Sequence, residues 1–233
     1  ELMDKTTYLN HYYFISILSF FMIFLPANSY FAIDSKLKGR EFKKIPKWCT
    51  DCIKMLLFIV YFYSGLAKLN SDWLIEAQPL KIWLTSSYDL PIIGSTLMQQ
   101  NWVHYVMSWG GMLYDLFIAF LLLYSRTRIF AFFLVVFFHL FTAILFPIGM
   151  FPYIMIVGSL IFFDPETHDK MIKIIGNTLK FFGFKSKKTK LLKLKSNNNP
   201  IVLGIVTVFF IIQLCFPFRY LLYPGELFWN EQG

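Results

Sequence analysis

The chain has 233 residues, of which 57% are hydrophobic, 20% aromatic and only 15% charged, and its mean hydropathy is +0.54. These values exclude an ordinary soluble domain and define an all-α integral membrane protein, a polytopic helical bundle embedded in a lipid bilayer. Lysine and arginine outnumber aspartate and glutamate by 22 to 14, a net charge of +8; in so apolar a chain that excess records membrane orientation and not nucleic-acid binding.

In chain order, no charged leader with a cleavage site precedes the first apolar run, so no signal peptide is expected, and a start at Glu1 points to an internal fragment. Residues 12–27 form that run, short for a span and punctuated by Pro26. Residues 35–47, with Lys36, Lys38, Arg40, Lys43, Lys44 and Lys47, read as a solvated basic loop. Cys49 and Cys52 follow at the edge of the next apolar run. With neither a second pair nor nearby histidines they complete no zinc site, no metal is implied, and they read as incidental thiols.

The second span covers residues 53–68 and ends in Tyr61-Phe-Tyr-Ser64-Gly65-Leu-Ala-Lys68-Leu-Asn-Ser-Asp72-Trp73. At helical steps of three and four, Tyr61, Ser64, Gly65, Lys68 and Asp72 share one face. A polar stripe in a span faces protein or a cavity; the alternative is a lysine near a helix end snorkelling to the headgroups. Residues 74–101, with Pro79, Trp83, Pro91 and Gly94, are too polar to span and too apolar for a linker. They read as an interfacial or re-entrant lid anchored by Trp73, Trp83 and Trp102.

Residues 102–124 form the third span, with Asp115 in its middle and Ser108, Gly111 and Ala119 as small residues that admit a neighbouring helix. A buried aspartate is costly unless paired, so Asp115 is either a partner for a cation or a structural hydrogen-bonding group. The fourth span, 129–146, follows the basic link Arg126-Thr-Arg128 and carries His139; a lone histidine on an apolar helix is usually a satisfied core residue. Pro147-Ile-Gly-Met-Phe-Pro152 then breaks the backbone twice, a candidate pocket wall, before a short fifth segment at 150–163. Residues 164–200, rich in lysine, read as a second solvated basic loop, and 201–222 as the last of about six spans. Placing the basic loops at 28–52, 125–128 and 164–200 on the cytoplasmic side puts Lys68, the lid and both chain ends on the extracytoplasmic side.

Tyr61-Phe62-x-x-Gly65-x-x-Lys68-Leu69-x-x-Asp72-Trp73, Gly111-x-Leu113-x-Asp115-Leu116, Phe138-His139 and Ile148-Gly149-Met150-Phe151 resemble, in order, the membrane domain of the vitamin K-dependent gamma-glutamyl carboxylases. That family falls within the wider group of horizontally transferred transmembrane domains. The resemblance runs from Ala27-Asn28 to the last span and implies one carboxylase-like transmembrane domain over residues 1–233. It implies that Lys68 is the base that deprotonates vitamin K hydroquinone, or another reduced naphthoquinone such as menaquinol. Oxygen then adds, the strong base that results removes a gamma proton from a glutamate of a protein or peptide substrate, carbon dioxide is captured, and the hydroquinone becomes an epoxide. Asn28, Ser29, His139 and Asp115 are the implied quinone- or substrate-binding positions.

Two departures accompany the resemblance. Ser29 stands where the carboxylases commonly have histidine, and Ala67-Lys68 where they have a lysine pair. The large extracytoplasmic domain that follows the last span in the animal enzymes is expected to be missing. An amine acts as a base near neutral pH only where an apolar surrounding penalises its protonated form, so an unpaired, dry Lys68 is the expectation, and Lys68→Ala is expected to leave folding intact. The alternatives are a non-catalytic quinone- or lipid-binding module with Lys68 paired to Asp72 or Asp115, and a Ser64–Lys68 hydrolase dyad.

Overall fold

The computed structural model describes residues 10–29, 32–38, 40–42, 45–87, 95–146, 148–181, 190–192 and 200–218. Pro147, Pro91 and Gly94 and the basic residues at 185–188 lie outside the described residues. In chain order the elements are α1 (Asn10–Phe24), α2 (Ile33–Leu37), β1 (Arg40–Phe42), α3 (Lys47–Ala67), α4 (Ser71–Leu74), α5 (Gln78–Ser87), α6 (Ser95–Met98), α7 (Asn101–Leu123), α8 (Arg128–Leu145), α9 (Phe151–Ser159), α10 (Pro165–Phe181), β2 (Lys190–Leu192) and α11 (Pro200–Cys215). Among the described residues, four helices are long and apolar enough to cross a membrane, Lys47–Ala67, Asn101–Leu123, Arg128–Leu145 and Pro200–Phe218, and Tyr12–Phe24 and Phe151–Phe162 are shorter apolar helices. The all-α polytopic class follows from these helices, because only a helix satisfies its own backbone groups within one segment of a bilayer.

The chain divides into two compact units, residues 1–56 with 163–233, and residues 57–162. In the first, α1 meets α11 through the edge of Phe21 against Phe209, with centroids 4.7 Å apart, and Tyr13 donates to Gln213 at 3.1 Å. The two segments read as loops carry regular structure here. β1 and β2 pair in parallel with Glu41 opposite Leu191, and the basic stretch after residue 164 opens with α10, a helix of seventeen residues. The signal for α10 was present in Met171, Ile174 and Ile175, an i, i+3, i+4 apolar stripe between lysines that was outweighed by charge. The second span also begins earlier than its apolar run. α3 starts at Lys47, so that Cys49 and Cys52 are buried free thiols in its first turns.

In the second unit α3 and α7 run antiparallel, the edge of Phe58 lying 5.0 Å from Phe120 at one end of the contact and Trp73 donating its indole N–H to the Ser108 carbonyl at 2.9 Å at the other. Between them Gly65 meets the backbone of α7: a Cβ there would lie 2.7 Å from Leu116 N. Gly111, which sequence marks as a close-approach residue, has nothing within 4 Å of its would-be Cβ. Ser108 and Ala119 are fully buried small residues, as expected. α8 follows α7 through a capped turn, with Thr127 donating to Leu121 O (2.7 Å) and Arg128 Nε to Leu122 O (3.1 Å). The basic link therefore closes the orphan carbonyls at the negative end of the α7 dipole.

Among the described residues the lid carries α5 and α6, which with α4 just before them stand against the opposite end of α7. Leu80 and Leu84 of α5, Met98 of α6, Val103 of α7 and Leu145 of α8 form one core cluster. Trp83 sits edge-on to Trp73 at 6.3 Å and to Phe146 at 5.9 Å. Trp83 and Trp102 both keep an exposed face, as interfacial anchors would.

Candidate functional site

Lys68 is placed by the way α3 ends. The last turn tightens, with Lys68 N–H bonding to Gly65 O at 3.1 Å and Leu69 N–H to Leu66 O at 3.0 Å. Asn70 secures the corner from both sides. Its Nδ2 donates to Ala67 O (2.8 Å), and its Oδ1 accepts from Trp73 N–H (2.8 Å) as the N-cap of α4. Because helix ends at Ala67, the helical register does not reach Asp72. That carboxylate is exposed, contacts Ser71 at 3.4 Å, and does not share the face of Lys68 as the spacing predicts.

The lysine instead turns back along its own helix and meets α7. Lys68 Nζ donates to Ser64 Oγ at 2.8 Å, to Ser64 O at 3.3 Å, and to Asp115 Oδ2 in a direct ion pair. Ser64 Oγ in turn donates to the same Asp115 Oδ2 at 2.8 Å. The Trp73 ring lies under the ammonium, 5.3 Å from Nζ to its centroid, which favours a cation. The side chains of Lys68 and Asp115 are 19% and 8% exposed, so the pair is largely taken out of water. An ammonium has three donors, and here each has an acceptor. Lys68 is thus neither the unpaired dry amine nor the headgroup snorkeller that the sequence alone allows.

One turn before Ser64 on α3, Tyr61 is buried and shares a hydrogen bond of 2.9 Å with His139 Nε2 of α8. The histidine is therefore a satisfied core residue, as its apolar helix leads one to expect, and forms one half of a buried polar pair. Around it stand the rings of Tyr114 (6.2 Å, edge-on), Phe138 (5.5 Å) and Phe151 (6.4 Å). Phe151 is supplied by the broken turn before α9, where Gly149 takes a φ of +68° that only glycine adopts without cost. Tyr61 and Ser64 lie one turn apart on α3 and Tyr114 and Asp115 are adjacent on α7, so the ion-pair node and the aromatic node form one neighbourhood.

Of the residues singled out in sequence, Lys68, Asp115 and His139 fall within this neighbourhood. Asn28 and Ser29 belong to the other unit. There Asn28 Nδ2 lies 3.4 Å from Asp34 Oδ2, and the buried Ser29 accepts from Phe42 N–H at 2.7 Å. Tyr114 was missed, since it sits in an apolar run with nothing local to mark it.

Comparison with known proteins agrees with this reading of the sequence. The HTTM domain family matches residues 1–166. The vitamin K-dependent gamma-carboxylase lumenal domain matches residues 198–233. That match takes in the last apolar helix and the residues after it. No solved structure matches the chain. With more than half of its length matched, the chain belongs to the HTTM domain family, and the two matches together support a gamma-carboxylase-related membrane protein.

Proposed function

We propose that this protein is a vitamin K-dependent gamma-carboxylase-like enzyme, which oxidises a reduced naphthoquinone to its epoxide and carboxylates peptidyl glutamate with oxygen and carbon dioxide, with Lys68 as the base. The observation that carries the reading is the part-buried Lys68–Ser64–Asp115 node beside an aromatic wall of Tyr61, Tyr114, Phe138 and Phe151. Flat rings suit a bicyclic quinol, and the polar node suits its hydroxyl. The reduced quinone supplies the oxidisable ring and, after reaction with oxygen, the strong base.

The role of this chain is then to move one proton. An ammonium with every donor engaged cannot accept a proton, so Lys68 must first release one, and Asp115 is in direct contact to take it. The freed amine then takes the proton of a quinol hydroxyl. A second reading, a non-catalytic quinone- or lipid-binding module, is favoured by the same ion pair, which neutralises Lys68 without any chemistry.

Incubating the full-length protein in detergent with reduced vitamin K and oxygen separates the two. Epoxide above the level given by heat-treated protein is the expected result, and its absence leaves the binding module. The proposed topology places α10 and the β1–β2 pair at the cytoplasmic face. Single cysteines replacing Lys38 and Lys173 are accordingly expected to react only with a reagent supplied from the cytoplasm; reaction from opposite faces would overturn that orientation.

A further inference from the structure

The Tyr114 hydroxyl is enclosed by protein and has no hydrogen-bond partner among the described residues. Its ring neighbour Tyr61 is committed to His139. Its ring needs no oxygen to pack: it stacks on Phe138 with centroids 3.9 Å apart and planes 16° apart, and meets Tyr61 edge-on at 6.0 Å. Phenylalanine would make those contacts equally well. A buried hydroxyl without a partner is a net cost to the fold, so one that is kept calls for a group that uses it.

The spacing along α3 identifies such a group. Ser64, which holds the Lys68–Asp115 node, and Tyr61, which sits against Tyr114, are one helical turn apart, about 4.5 Å along the axis. Oxygens at opposite ends of one six-membered ring are separated by a comparable distance. We propose that Tyr114 donates its hydroxyl proton as a hydrogen bond to the far oxygen of a 1,4-quinol or 1,4-quinone whose near oxygen lies at Lys68, making Tyr114 a binding residue that selects rings with two para oxygens over rings with one. The inference rests on the placement of a quinol at Lys68 argued above.

The full-length protein in detergent can be titrated with 2-methyl-1,4-naphthoquinone and with the single-oxygen analogue 2-methyl-1-naphthol, following quenching of tryptophan fluorescence, and its thermal midpoint read in parallel. Tyr114→Phe is expected to weaken naphthoquinone binding about tenfold, the worth of one good hydrogen bond, to leave naphthol binding unchanged, and to hold or raise the thermal midpoint. Unchanged naphthoquinone affinity, an equal loss for both probes, or a lowered midpoint with intact affinity would each overturn the inference; the last would assign the hydroxyl to a structural bond with Tyr61. Epoxide formation by the wild type together with unchanged affinity in Tyr114→Phe would sink this inference alone. A wild-type protein that binds no naphthoquinone would remove the function proposed above along with it.

Discussion

Lys68→Ala is expected to abolish epoxide formation and also to destabilise the protein, and the two losses have different causes. The activity is lost with the base. The stability is lost because Asp115, 8% exposed, loses its cation and is left with the Ser64 hydroxyl. Breaking a buried pair by removing one partner costs about 3–5 kcal/mol, and the 19% exposure of Lys68 places this pair near the lower end. Adding Asp115→Asn removes the orphaned charge, so the double variant is expected to recover most of the thermal midpoint and none of the activity. Lys68→Arg completes the set. Guanidinium can hold the pair with Asp115 but does not release its proton, so its midpoint should stay near wild type while epoxide formation is lost. Thermal unfolding and epoxide yield measured on the same preparations decide the matter, and substantial activity in Lys68→Arg would eliminate the lysine as base.

Gly65→Ala is the second change expected to have a large effect. The added methyl would stand 2.7 Å from Leu116 N, 2.8 Å from its Cα and 3.0 Å from its Cβ. Since the first two atoms are backbone, no side-chain rotation can make room and α3 must move away from α7. Overpacking of this kind costs about 1–3 kcal/mol and more where backbone is the obstacle, against a gain in helix propensity of about 1 kcal/mol. Moving the helices apart also stretches the 2.8 Å bond between Ser64 and Asp115 and with it the Lys68 pair, so epoxide formation should fall with stability. Gly111→Ala is the control. Nothing lies within 4 Å of that Cβ, and the substitution should be neutral or slightly stabilising by its propensity alone. Identical unfolding curves for the two variants would show that the Gly65 crossing does not hold the site together.

The two glycines mark where the reading of this chain divides. Composition and apolar run length were sufficient for the membrane class and for six apolar helices, because the bilayer imposes its requirement on each segment separately. Lys68, Asp115 and His139 were also legible, since each is a polar residue in a run where burial without a partner is costly. Their partners were not. Lys68 could have turned toward Asp72 on the same periodic face, and only the termination of α3 at Ala67, held by Asn70, and the close crossing at Gly65 direct it to Asp115 on a helix 47 residues further on. His139 gains Tyr61 and Tyr114 gains Phe138 in the same way, through packing between helices that no local pattern records. Gly65 and Gly111 look alike in sequence because a missing side chain has the same periodicity whether or not another backbone occupies its place; tertiary packing alone decides which of the two is needed.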